Sequence, residues 1–171
     1  PLILQRSGYS KQGGFEIYLR DGSRGTELWN IVKEAGQPWS IGPGNPNPIE
    51  RIESGLLSYG GDTDDQTNPF EVRLGKYVDL DLDDEVVGIN ALRRIKAEGV
   101  KRQQLGIALD NSERHPGHAI WYDLLKGGQR VGHMTCGAWS RRAQTMIGFA
   151  LVDSQCRVGD AVEVNRGGYV D

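Results

Sequence analysis

Arg6-Ser7-Gly8-Tyr9-Ser10-Lys11-Gln12-Gly13-Gly14-Phe15-Glu16-Ile17-Tyr18-Leu19-Arg20 is the stretch on which the reading of this chain turns. Its first half is a loop with three glycines, a composition that lets backbone come close to a flat ligand. From Gly13 to Arg20, Phe15, Ile17 and Leu19 alternate with Glu16, Tyr18 and Arg20. That is the period of a half-buried strand, and it puts Glu16 and Tyr18 on one face. An ionised carboxylate accepts two parallel N–H bonds, so Glu16 suits adjacent donors on a pterin or guanine edge, with Tyr9 or Tyr18 against the ring. The plain alternative is an ordinary exposed glutamate on a strand.

Upstream of this loop, Leu2-Ile3-Leu4 is an apolar, strand-forming run. Downstream, Asp21-Gly22 is a turn pair, and Ser23 is placed to cap a helix whose apolar positions Leu28, Trp29, Ile31 and Val32 recur at helical spacing up to Ala35-Gly36. Residues 42–48 hold three prolines and exclude regular structure; Ile49 to Glu53 reads as a short helix ended by Gly55. A second turn-rich connection, Tyr59 to Asp65, leads into Asn68-Pro69-Phe70-Glu71. The acidic run Asp79 to Glu85 lacks the glycine and terminal glutamate of a calcium loop and reads as a solvated helix start before a helix over Asn90 to Glu98. Beyond Gly99, alternating runs at 103–109, 118–124, 130–134, 145–152 and 161–165 predict five short strands, hence a small β-barrel or sandwich, with a domain boundary near residue 100.

The chain has 24 glycines in 171 residues, twice the ordinary share of about 7%. The excess marks many turns. Lys plus Arg number 20 against 23 for Asp plus Glu, so no basic excess exists to hold a polyanion, and nucleic acid is not expected as a partner. No stretch approaches the roughly 18 apolar residues that cross a bilayer, and no basic-then-apolar leader opens the chain; a cytoplasmic protein with no membrane partner is expected. Cys136 and Cys156 read as free thiols, Cys136 as a packing residue in a β run. His115 and His118 flank Pro116-Gly117 with no further ligand nearby, which reads as a surface turn; no metal is expected. Dinucleotide, P-loop and Gly-x-Ser-x-Gly motifs do not occur.

The segment Ser7 to Tyr18 resembles a hallmark of the folate-dependent one-carbon transferases related to the glycine-cleavage T-protein. Later stretches agree in order. Ile49 to Asp62 looks like that family's Arg-x-Glu-x-Gly segment ending in Tyr/Gly-x-Asp, and Asn68-Pro69-Phe70-Glu71 looks like its Pro-x-Glu element. Gly132-His133-Met134-Thr135-Cys136-Gly137-Ala138-Trp139-Ser140 is similar to a stretch of its C-terminal β-domain. The wording Ser10-Lys11-Gln12-Gly13-Gly14 resembles the dimethylsulfoniopropionate-demethylating branch more than the aminomethyl-transferring one.

The resemblance implies an α+β chain: part of a folate-binding, ferredoxin-like α/β domain over residues 1–99, then a small C-terminal β-barrel, jelly-roll-like, over 100–171. It implies tetrahydrofolate as cofactor and methyl transfer from dimethylsulfoniopropionate or a similar small-molecule donor, with glycine-cleavage aminomethyl transfer or a non-catalytic folate-binding module as the alternatives. Glu16 would bind the pterin edge, Tyr9 and Tyr18 would line the folate site, and Arg51 would either hold an anionic part of the cofactor or pair internally with Glu50 or Glu53. The family's N-terminal portion, with its acidic residue at the reacting centre, has no counterpart here. The chain is therefore expected to be an inactive C-terminal fragment whose partners are that missing portion and, as an open option, a second copy; no catalytic residue is assigned.

Overall fold

A computed structural model describes residues 2–9, 11–44, 48–82, 86–109 and 122–165. His115 and His118 lie outside these residues, as do Ser10 and the end of the acidic run. The chain forms two compact units, Pro1–Ser54 and Gly55–Asp171.

In the first unit, the alternation around Glu16 becomes a strand, β2 (Gly14–Leu19), and the upstream apolar run becomes β1 (Leu2–Ser7). They pair antiparallel from Leu2↔Leu19 to Ser7↔Gly14. The connecting loop is closed by the Lys11 N–H, which donates to the Gly8 carbonyl at 2.8 Å. Arg6 pins the loop's exit. Its Nη1 donates to the Gly14 carbonyl at 3.1 Å, and its guanidinium lies 5.1 Å from the ring of its cross-strand partner Phe15.

The helix expected after Asp21-Gly22 is α1 (Gly25–Gly36), but Ser23 does not cap it. Asp21 Oδ1 accepts from the Ser23 amide at 3.1 Å and the Ser23 hydroxyl at 2.6 Å, which folds Gly22–Arg24 into a 3₁₀ turn ahead of the helix. The carboxylate takes both donors, so the serine hydroxyl is spent on Asp21 instead of on the helix N-terminus. Helix α2 (Pro48–Glu53) starts on a proline, whose missing N–H is no loss at a first turn.

The second unit is built on a five-stranded antiparallel sheet in the order β3-β6-β5-β4-β7. The strands are β3 (Arg102–Leu109), β4 (Asp123–Lys126), β5 (Gln129–Ser140), β6 (Thr145–Asp153) and β7 (Glu163–Asn165), preceded by helix α3 (Ile89–Glu98). One expected strand is described only in part and another is corrected. Most of the run at 118–124 lies outside the described residues; its described part enters the strand Asp123–Lys126, which reaches the Gly127-Gly128 turn, both glycines at positive φ as a tight hairpin requires. The run at 130–134 continues to Ser140, because a bulge between Met134 and Cys136 makes Met134, Thr135 and Cys136 buried in succession and breaks the alternation that marks a strand in sequence.

One face of the sheet carries the core of Leu124, Met134, Ala150, Val152 and Cys156, with Leu105, Ile107 and Val164 packed against it. Both cysteines are buried free thiols. Residues 58–71 are tied to the strands by polar contacts: the Thr135 hydroxyl donates to buried Asp62 at 2.8 Å, the Gln104 amide to the Glu71 carbonyl at 2.7 Å, and Arg102 grips the Glu71 carboxylate at 2.9 and 3.1 Å.

Candidate functional site

The candidate site is the β1–β2 hairpin. In an antiparallel pair, the register Gln5↔Glu16 and Ser7↔Gly14 makes Ser7 the diagonal neighbour of Glu16, and Tyr18 follows Glu16 by one strand repeat. All three meet. The Tyr18 hydroxyl donates to Glu16 Oε2, and the Ser7 side chain stands near the carboxylate. The Tyr18 bond first, and then the Ser7 hydroxyl beside it, hold the Glu16 carboxyl below its ordinary range, with burial opposing only weakly. The Tyr18 phenol is pushed up by the same partner, first through the hydrogen bond and then through the negative charge beside it.

The site therefore presents a carboxylate that is ionised at neutral pH on an exposed strand face. One hydroxyl donor, that of Tyr18, against about four lone-pair positions leaves it acceptor capacity for further N–H groups. Tyr9 stands in the loop before the strand with its side chain 41% exposed, apart from the bonds that organise Glu16. Arg51 is buried in α2 and engaged within the molecule. Next to it in sequence, Glu50 takes both oxygens' contacts from the Gln12 amide at 3.3 and 3.4 Å, so the loop is latched onto α2.

Two participants were missing from the sequence reading. Ser7 becomes visible only when the strand begun at Leu2 is extended to Ser7 and its register to β2 is drawn; the Gln12–Glu50 latch joins residues 38 apart and leaves no local signal. Among the described residues no cluster of His, Cys, Asp and Glu has the arrangement of a metal site, and no helix is long and apolar enough to cross a membrane.

Two family models match in succession: the GCVT N-terminal domain over residues 1–82 and the glycine cleavage T-protein C-terminal barrel domain over residues 102–170. Dimethylsulfoniopropionate demethylase of Ruegeria pomeroyi is 37% identical over 164 residues, 95% of this chain and 44% of its own length. An aminomethyltransferase of Clostridium botulinum is 37% identical over 158 residues, 90% of this chain and 41% of its own. The crystal structure of the glycine cleavage system aminomethyltransferase T from Bartonella henselae has the same fold, with a TM-score of 0.81 at 23% identity over 98% of this chain and 46% of that one. The chain spans less than half the length of these relatives. With an α+β fold, both family models in order and relatives of both kinds along nearly its whole length, the chain belongs to the glycine cleavage T-protein family.

Proposed function

We propose that the chain is the folate-binding part of a tetrahydrofolate-dependent one-carbon transferase. The observation that carries this is the exposed Glu16 carboxylate, kept ionised and oriented by Tyr18 and Ser7 on a hairpin next to a glycine-rich loop. Its acceptor geometry fits the adjacent N–H donors of a reduced pterin, and Tyr9 at the loop supplies an aromatic face for the ring. Tetrahydrofolate, when bound, supplies the nitrogen that accepts the one-carbon unit. The residues of this chain contribute binding and alignment. Burial favours an internal, α2-supporting role for Arg51 over the ligand contact.

The donor is proposed to be a methyl sulfonium such as dimethylsulfoniopropionate, supported by the loop wording at Ser10 to Gly14 and by the demethylase relative at 37% identity. Aminomethyl transfer is the second reading, supported by an aminomethyltransferase of equal identity. A sulfonium is already a good leaving group, so little covalent help is asked of the protein. The 171 residues alone are expected to bind folate without turnover, and methyl transfer by them would overturn that.

Tetrahydrofolate titration followed by calorimetry tests the carboxylate. Glu16→Ala should weaken binding by about 1.5–3 kcal/mol, the worth of hydrogen bonds to a charged group, and an unchanged affinity removes Glu16 from the site. Supplying a full-length protein with dimethylsulfoniopropionate or, separately, with an aminomethyl-bearing carrier decides the donor.

A further inference from the structure

We infer that the cleft between the turn over residues 68–78 and the C-terminal half of α3 binds a compact polyanion carrying two or three phosphate or carboxylate groups. The cleft holds about 400 Å³ and is lined by Phe70, Arg73, Gly75, Lys76, Ile95 and Lys96, with Gly99 and Val100 also on its wall. That volume falls within the range of roughly 300–1,000 Å³ occupied by small-molecule sites. Three of the lining residues are cations and none is an acid. In a chain whose formal charge is −3, this is a local reversal of sign. Cations gathered in a concave wall focus the field on one anion, whereas cations dispersed over a surface do not.

The three cations are not consumed by the protein. None of them forms an ion pair among the described residues; instead the Lys76 ammonium lies 4.8 Å from the Tyr77 ring and the Lys96 ammonium 5.5 Å from the Phe70 ring. Aromatic faces position an ammonium without neutralising it. Glu71, the carboxylate on the same turn, is buried and committed to Arg102. The last turn of α3 brings the negative end of the helix dipole, worth about half a unit charge, and three full positive charges outweigh it.

The wall is built rather than loose. The Leu74 amide donates to the Pro69 carbonyl at 2.8 Å, the Tyr77 amide to Leu74 at 2.9 Å and the Val78 amide to Gly75 at 3.1 Å. A Cβ at Gly75 would stand 2.9 Å from Cδ1 of the Phe70 ring, so the turn passes close against an edge of that ring. Arg73 is held at a φ of 61°, a left-handed conformation that L residues other than Asn and Asp seldom adopt.

Calorimetric titration of the 171-residue chain at constant ionic strength, with pyrophosphate, citrate and acetate as separate probes, tests this. Saturable one-to-one binding of pyrophosphate or citrate, and none of acetate up to about 10 mM, is the expected result. Pyrophosphate alone identifies a phosphate ligand; citrate alone identifies a polycarboxylate. Lys76→Glu and Lys96→Glu should each weaken binding at least about tenfold, while Arg141→Glu, on the β5–β6 turn, should leave it unchanged. Amide shifts in the wild-type chain, confined to residues 70–76 and 95–100, give the same answer without any variant. No saturation with either polyanion, equal losses in Arg141→Glu and Lys96→Glu, or shifts spread over the whole surface would overturn the assignment.

Discussion

Glu16 shows how one hydrogen bond converts a common surface residue into a prepared one. Its folded pKa is depressed, so its contribution to stability is present above the unfolded pKa and is lost as the pH falls through the folded pKa. Tyr18→Phe removes the leading donor and should move the Glu16 carboxyl back up toward the ordinary range, as read by carbon-13 carboxyl shifts in a pH titration. A titration midpoint that stays in place would show that Ser7 alone sets the carboxylate. Gly148 is a residue of the opposite kind, fixed by packing alone. A Cβ there would lie 2.1 Å from the Cys136 carbonyl oxygen, which is backbone and cannot swing aside. Gly148→Ala should therefore destabilise the second unit by about 1–3 kcal/mol, the usual cost of overpacking, in a denaturant melt.

Among the elements, those with unbroken periodicity were legible. The alternation from Phe15 to Leu19 gave β2 and the shared face of Glu16 and Tyr18, and the helical spacing of Leu28 to Val32 gave α1. What sequence concealed has a physical cause in each case. The bulge at Thr135 ends the alternation halfway along β5, and Asp21 outcompetes the backbone of α1 for the Ser23 hydroxyl. Glu71 was legible only as part of a Pro-x-Glu pattern, and its task is set by residues far along the chain. It accepts the Asn68 amide at 3.1 Å and the Arg102 fork at 2.9 and 3.1 Å while its side chain stays 8% exposed. Glu71→Gln keeps the shape but loses the charge. It should cost about 1.5–3 kcal/mol in urea unfolding, in line with hydrogen bonds to charged groups. Arg102→Lys should recover little of the stability of the clamp, because an ammonium cannot reproduce the bidentate fork. Full stability in both variants would show that the clamp is incidental.

At the scale of the whole chain, the two units differ in how they use their apolar residues. In the second, Leu124 is fully buried and Met134, Ala150 and Val152 are at most 4% exposed. In the first, Leu2, Ile3 and Leu4 are 52–60% exposed, and Trp29 and Ile31 on α1 are 54% and 55% exposed. Burial of apolar area at about 25 cal/mol per Å² is the main favourable contribution to folding, and a lone two-stranded hairpin is marginal in water. Local opening should accordingly cost far less in residues 1–54 than in the five-stranded sheet. Native-state hydrogen exchange of the 171-residue chain is expected to show amides of β1 and β2 exchanging on the order of a hundredfold faster than those of β5 and β6. In a relative more than twice as long, where additional polypeptide is available to cover such faces, the same hairpin should be protected to nearly the level of the sheet. Equal protection of the two units in the 171-residue chain would mean that the exposed leucines and tryptophans are not what limits the stability of the first.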